Sequence, residues 1–498
     1  MRNILKDKYL LWLIAIFSVI RIAGIAFMGL MPQDAYYTYY SENLALSYFD
    51  HPPMVAYMIA FFTSFLGKSA VALHTADFVT TTFSLIFLYL FLKKVLEGGE
   101  LRRALILLIP APLITILSIN TTPDVPLIFF WSLSLLLSFQ AITKGNWYWW
   151  ITAGITAGLA FSSKYTGIFM PAGMFLFLLL SKEHRKNILS YKFLLYAFAV
   201  LIAVSPVIIW NIQNDFISLR YQSADRAAGL SSFEFDPLLL PGFLGSQMLL
   251  VLPMFLIFLY VASFDVTKKY LTKKSLDNNL LFAAAFAVPM LAGFTAIALV
   301  YWVKINWIMP VFLSGVMLAA KYIKNDKFIR WQVIFSVVVH ILMLAQLIWM
   351  PVMVKSDDTW WGWEELHGKV QELQEENPEK FIFSDNSYKI SAALNFYSDQ
   401  HIYAGNVIGK FAFQFALDDS NLSHLEGKDA IYVTSNRYRR KNLRRESIES
   451  MLEKYFTESR LKDSLVLKNN GVVHRKFYFY ECEDYGNAIA PYTGSGPE

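Results

Sequence analysis

The sequence predicts a polytopic α-helical membrane protein followed by a soluble α/β domain. Three observations carry that prediction. Charged residues make up 17% of the chain, below the roughly 25% of an average soluble protein. Apolar runs long enough to cross a bilayer recur from Tyr9 to about Val354. Beyond that point the composition becomes ordinary, so the 498 residues divide into a membrane region at 1–354 and a globular region at 355–498.

Runs of about 17 to 25 apolar residues are candidate spans. About eleven occur, at 9–31, 70–95, 103–120, 125–143, 147–162, 165–181, 190–211, 241–264, 279–302, 305–322 and 330–354. The first has no small-residue cleavage site, which predicts a retained span rather than a signal peptide. "MVAYMIAFFTSFLG" at 54–67 is too short to cross and predicts a helix lying in the interface.

Charge tests this count, because Lys and Arg collect in cytoplasmic loops. The clusters are Arg2/Lys6/Lys8, Lys93/Lys94/Arg102/Arg103, Lys182/Arg185/Lys186, Lys268/Lys269/Lys273/Lys274 and Lys321/Lys324/Lys327/Arg330. With 54–67 lying flat, all of them fall on one side. The pattern predicts a cytoplasmic N-terminus and a C-terminal domain outside.

The predicted outer loops each carry ionisable residues close to the membrane, and such residues are functional candidates. "MPQDAYYTYYSENLALSYFDHPP" at 31–53 holds Asp34, Glu42, Asp50 and His51 with no Lys or Arg. A carboxylate near lipid needs a cation, metal or substrate from elsewhere. Glu42 reads as a solvated face residue; an interfacial loop whose tyrosines form an aromatic belt is the plain alternative to function here. "NTTPDVP" at 120–126 places Asp124 at a helix start, where a cap is the plain alternative to function. Lys164 in "SSKYT", Arg220 and Arg226 in "FISLRYQSADRAAG", and Lys304 in "YWVKINW" run against the positive-inside trend. A phosphate at the outer leaflet would explain them through charge-assisted hydrogen bonds; pairing with the outer carboxylates or lipid headgroups is the alternative. His74 reads as a buried polar contact.

Phosphate-loop, dinucleotide and zinc-spacing motifs are not found, and no basic-aromatic array points to nucleic acid. The one cysteine, Cys482, rules out an intramolecular disulfide. In the tail, "KFIFSD", "HIYAG", "DAIYVTS" and "VVHRKFYFYECE" read as strands, and "SYKISAALNFYS" and "RESIESMLEKYFTES" as helices. "RYRRKNLRR" is a solvated basic face or a headgroup contact.

"QDAYYTYYSENLALSYFDHPPMVAYMI", "TTPDVPLIFFWSLSLLL", "SSKYTGIFMPAG", "WNIQNDFISLRYQ" and "KINWIMP" resemble bacterial membrane glycosyltransferases of the GT-C superfamily. Within it, the similarity is to the branch related to protein O-mannosyltransferases and the lipid A aminoarabinose transferase. It runs over about residues 1–350 and weakens in the C-terminal domain. The resemblance implies a GT-C fold with juxtamembrane helices in the first outer loop. It implies a polyprenyl-phosphate sugar donor and transfer on the outer face of the bacterial inner membrane. The family's first outer loop often carries an Asp-Glu pair before "AYY"; here that pair reads Gln33-Asp34, so the base role falls to Asp34. Asp124 maps to a second acidic motif that positions substrate or metal.

The expected arrangement is inverting single displacement with Asp34 as base. Lys164, Arg220, Arg226 and Lys304 hold the phosphate, and Tyr37, Asp50, His51, Asp124 and Tyr165 contact sugar or acceptor. The acceptor is a lipid, glycan or protein, and membrane lipids surround the site. No cofactor is certain; a divalent metal at Asp34 and Asp124 stays open. A transporter or flippase of lipid-linked saccharides is the alternative. It predicts ionisable groups near the bilayer midplane or discontinuous helices in paired repeats, whereas the ionisable groups read from the sequence gather at one interface.

Overall fold

The structure, a computed structural model, describes residues 7–223, 235–437 and 447–486. Contacts divide them into two compact units. The first comprises Met1–Phe27, His51–Asp215 and Ser223–Trp349, and the second Met28–Asp50, Phe216–Gln222 and Met350–Glu498.

The first unit is helical. Apolar segments in lipid must satisfy their backbone groups internally, which selects helices. They are α1 (Lys8–Phe27), α3 (Met54–Leu66), α4 (Ala70–Val95), α5 (Gly98–Leu108), α6 (Pro112–Ile116), α7 (Asp124–Lys144), α8 (Trp147–Phe161), α9 (Phe169–Leu180) and α10 (Tyr191–Gln213). Further helices follow at Leu239–Val251, Pro253–Leu271, Asn278–Ile297, Met309–Tyr322 and Asp326–Trp349; α2 lies in the second unit. Local signals set the ends. Ser69 caps α4 by accepting from the Ala72 N–H, and Lys93 and Lys94 sit in its last turn. Helix α7 ends at Gly145 with φ 71°, a left-handed stop.

By length and composition, six helices among the described residues could cross a membrane, or seven if Leu239–Val251 and Pro253–Leu271, bent by 114°, form one span. The other candidate spans are shorter or broken, and prolines account for part of this. The 103–120 run splits into α5 and α6 around Pro110 and Pro112, since proline cannot donate inside a helix. The 54–67 run is a 13-residue helix. Gly154 and Gly158 of α8 let α10 approach closely; a Cβ on Gly158 would lie 2.8 Å from Val200 O.

Arg21 of α1 is buried among the helices of this unit. It donates to Ile109 O and, at 3.4 Å, to the Thr115 hydroxyl, so it covers a carbonyl freed by the α5–α6 break. Thr115 lies 2.8 Å from His340 Nε2, and Ser336 donates to Pro110 O. A broken helix inside the unit is tolerated because neighbouring side chains satisfy its loose ends.

The second unit contains α2 (Pro32–Glu42) and a four-stranded sheet of β1 (Phe381–Phe383), β2 (Ala430–Ser435), β3 (Phe456–Asn469) and β4 (Val472–Tyr485), in the order β1-β2-β4-β3. β1 and β2 are parallel, and the other pairs antiparallel. The helices Trp363–Glu376 and Lys389–Tyr397 cover the sheet through Leu366, Val370, Ile390 and Leu394. Two tail expectations are corrected. Among its described residues, "RESIESMLEKYFTES" is helical at Ile448–Leu452 and enters β3 at Phe456, because ladder pairing with β4 overrides the helical periodicity. "HIYAG" makes only an isolated bridge, Tyr403 to Phe383. Most of "RYRRKNLRR" and the final "TGSGPE" lie outside the described residues.

At the core of this unit the Arg475 guanidinium is fully buried, 2.8 Å from Asp357 Oδ1 and 3.8 Å above the Trp363 ring. Asp357 also accepts from Asn386 and Ser435, so the charge is both paired and hydrogen-bonded, as burial requires.

Candidate active site

In the first unit the chain brings two predicted residues together. Pro123 ends the "TTPD" turn and α7 begins at Asp124, whose carboxylate favours the positive end of the helix. The residues after α8 turn back through "SSK", where Lys164 is extended (φ −158°) ahead of a short 3₁₀ turn at Tyr165–Ile168. Lys164 Nζ reaches both Asp124 oxygens, at 2.8 and 2.9 Å. Asn306 Nδ2 donates to Asp124 Oδ2 at 2.8 Å. Asp124 is 1% and Lys164 6% exposed, so this is a buried ion pair whose desolvation needs the added amide.

The pair is braced by its neighbours. Ser162 O accepts from the Met54 N–H, tying the start of α3 to the lysine turn. Asp77 of α4 accepts from the Thr121 hydroxyl at 2.7 Å, and Thr81 donates to Leu117 O at 3.0 Å. Helix α4 therefore holds the segment that leads into Asp124. Asp77 is fully buried, and the sequence reading missed it; its only signal is a carboxylate inside an apolar run. His74, one turn earlier, is also buried, and His51 is half-buried ahead of Pro52 and Pro53. Tyr165 is half-buried with its ring 5.5 Å from Phe161. Lys304 is exposed, two residues before Asn306.

In the second unit, Pro32 and Asp34 start α2. Asp34 is fully buried and accepts from the Met31 N–H at 2.9 Å, while its own carbonyl accepts from Thr38. Asp50 accepts from the Tyr36 hydroxyl at 3.2 Å and from the Tyr40 hydroxyl, and the two phenol oxygens lie 2.7 Å apart. Burial, reinforced by the Asp50 charge, pushes both phenols well above their ordinary value and keeps them donors. Gln222 donates to Asp50 O at 2.5 Å. Tyr37 is buried against Tyr36 and Tyr40. Arg220 is exposed in a helical turn, and Arg226 lies outside the described residues.

Asp34, Tyr37, Asp50 and Arg220 thus belong to one unit, and His51, Asp124, Lys164, Tyr165 and Lys304 to the other. Among the described residues no group of three or more His, Cys, Asp or Glu could hold a metal ion, and both oxygens of Asp124 already carry an ammonium.

Residues 50–210 match the protein family described as dolichyl-phosphate-mannose-protein mannosyltransferase. The lipid A galacturonosyltransferase RgtD of Rhizobium johnstonii is 27% identical over 192 residues, 38% of this chain and 40% of that protein. The chain thus matches about two fifths of this curated relative. The crystal structure of ArnT from Cupriavidus metallidurans bound to undecaprenyl phosphate superimposes with a TM-score of 0.62 at 13% identity, covering 98% of this chain and 99% of that one. The Archaeoglobus fulgidus oligosaccharyltransferase in its apo form gives a TM-score of 0.51 at 12% identity, over 86% and 70% of the two chains. The class follows: this is a multi-pass membrane protein with the GT-C fold and a C-terminal sheet domain. Residues 50–210 carry the match to the mannosyltransferase family, and the whole chain shares its fold with ArnT.

Proposed function

We propose that the protein transfers a monosaccharide from a polyprenyl-phosphate-linked donor to a lipid, glycan or protein acceptor. The reaction takes place on the outer face of a bacterial inner membrane. Residues 1–354 form the catalytic membrane domain, with a cytoplasmic N-terminus, and 355–498 an extracytoplasmic α/β domain. The observation that carries the reading is the buried Asp124–Lys164 pair, both of whose residues lie within the region matching the mannosyltransferase family, with Asn306 from beyond that region completing it.

The chemistry asks for a base and for counter-charge on the leaving phosphate. Asp34 takes the acceptor's proton as its heteroatom attacks the anomeric carbon. The bond from that carbon to the phosphate oxygen breaks, the polyprenyl phosphate leaves as the anion, and configuration inverts. An ammonium has three N–H donors, and Asp124 takes two from Lys164; the third is left for phosphate. Arg220 and Lys304 add charge, and Tyr37, Asp50, His51 and Tyr165 surround sugar or acceptor.

Purified full-length protein, incubated with membrane lipids and followed by mass spectrometry, should consume one polyprenyl-phosphate sugar and release polyprenyl phosphate. Asp34→Asn should slow that conversion by about 10²–10⁴-fold, the contribution of a positioned base; full activity would remove Asp34 from the role. Translocation of lipid-linked saccharides is a second reading, favoured by Arg21 at a helix break. It predicts movement of the donor with its sugar–phosphate bond intact.

A further inference from the structure

The segment after the Tyr403 bridge, "FAFQFALDD" at 411–419, does something its own sheet does not require. Phe413 holds φ 51°, a left-handed conformation costly for a bulky side chain and maintained only where the surroundings demand it. It is followed by the one-turn helix Gln414–Asp418. Both Gln414 and Asp418 are spent on residues 36–49. The Gln414 N–H donates to Tyr36 Oη at 3.1 Å, and Gln414 Oε1 accepts from the Phe49 N–H at 2.9 Å. Gln414 Nε2 donates to Asp418 Oδ1 at 2.8 Å, and Asp418 Oδ2 accepts from the Tyr39 hydroxyl at 2.9 Å. The Phe415 ring stacks on Tyr39 with centroids 4.5 Å apart.

These bonds reach both ends of one short stretch. Tyr36 and Tyr39 lie on α2, two and five residues after Asp34, whereas Phe49 adjoins Asp50 beyond the helix. Gln414 bonds to both, through Tyr36 and through Phe49, and the neighbouring Phe413 ring packs against both as well. The same Tyr36 hydroxyl continues to Asp50. Buried side chains locked by packing and hydrogen bonds are what fix a catalytic group in its productive geometry.

We propose that the 413–418 segment of the C-terminal domain is a clamp on residues 31–50, with Gln414 and Asp418 as positioning residues for Asp34. The inference rests on the assignment of Asp34 as base, but the clamp itself has a readout independent of that assignment.

The test is hydrogen–deuterium exchange by mass spectrometry on the full chain in nanodiscs, paired with turnover of the membrane-lipid donor. Gln414→Leu keeps the backbone bond to Tyr36 and removes the two side-chain bonds. It should raise exchange of peptides within 36–50 at least tenfold while β2 and β4 stay protected. Turnover should fall by a similar factor, with KM for the donor lipid little changed. Tyr39→Phe, which keeps the ring stack on Phe415, should give a smaller rise in the same peptides. Asp418→Asn can accept from Tyr39 or from the Gln414 amide but not from both, so it should give an intermediate rise, whereas Asp418→Ala, which removes both bonds, should behave like Gln414→Leu. Unchanged exchange at 36–50 in Gln414→Leu would overturn the clamp, as would a parallel rise in β2 and β4. If exchange rises while turnover holds, the clamp stands as architecture and its positioning role fails. Retained activity in Asp34→Asn would instead remove the base assignment and leave the exchange result intact.

Discussion

Asp124 and Asp50 are both buried carboxylates, and the two units satisfy them in opposite ways. Asp124 faces a cation: two contacts from Lys164 and one from Asn306. Asp50 faces neutral phenols, Tyr36 and Tyr40, whose raised pKa values keep them protonated. An ion pair leaves a site near neutrality and holds an ammonium that can turn its remaining N–H to an incoming anion. The two phenols donate to Asp50 without bringing a charge of their own. One carboxylate is thus held by an ammonium and an amide, and the other receives two aromatic hydroxyls.

The comparison is tested most severely at Lys164. Lys164→Met strands the Asp124 charge, and losing one member of a buried pair costs about 3–5 kcal/mol. Thermal unfolding should show a large drop, and donor turnover should vanish. Adding Asp124→Asn to Lys164→Met should restore much of the stability, since no buried charge remains, yet leave turnover lost. Recovery of turnover in the double variant would make the pair purely structural. The phenol cage should be more forgiving. Tyr40→Phe removes one of Asp50's donors and should cost about 1–3 kcal/mol, read as a lower unfolding midpoint. Tyr36→Phe, whose bond to Asp50 is 3.2 Å long, should cost less. Equal, large losses at Lys164 and Tyr40 would erase the distinction.

Much of the first site was legible because polar residues in apolar surroundings announce themselves. "TTPD" and "SSKYT" interrupt hydrophobic runs, and the structure joins Asp124 to Lys164 across 40 residues. Asp34 stood out through the missing cations around it. What stayed hidden has two physical causes. Asp77 and Arg21 sit inside runs that still average as strongly apolar, so a hydropathy window absorbs them. The Gln414–Phe49 bond spans 365 residues of sequence, and no local periodicity encodes such a partner. The helix expected over 445–459 failed for a related reason: the spacing of Ile448, Met451 and Leu452 is helical, but Phe456 onward finds a strand partner in β4.

A third carboxylate, on the inner strand β4, tests how far the contrast extends. Glu481 of β4 accepts from Lys380 at 2.5 Å and from Arg460 Nη2 at 3.0 Å. These cations, Lys380 foremost and against the pull of burial, hold its carboxyl down at about 2, from an ordinary value of 4.5. A carboxyl with a depressed folded-state pKa stabilises the fold above its unfolded value. That contribution is lost as pH falls from about 4.5 through about 2. Glu481→Gln should therefore lower the unfolding midpoint of the C-terminal domain modestly at neutral pH, by about 1–2 kcal/mol for a charged hydrogen bond. It should also flatten the domain's pH dependence between about 4.5 and 2, because the variant has no proton to bind there. Unlike Asp124, Glu481 shares several cations, Lys380, Arg460 and Lys462, so losing any one of them strands less charge. A penalty at Glu481 as large as that at Lys164 would show that several cations do not soften the cost.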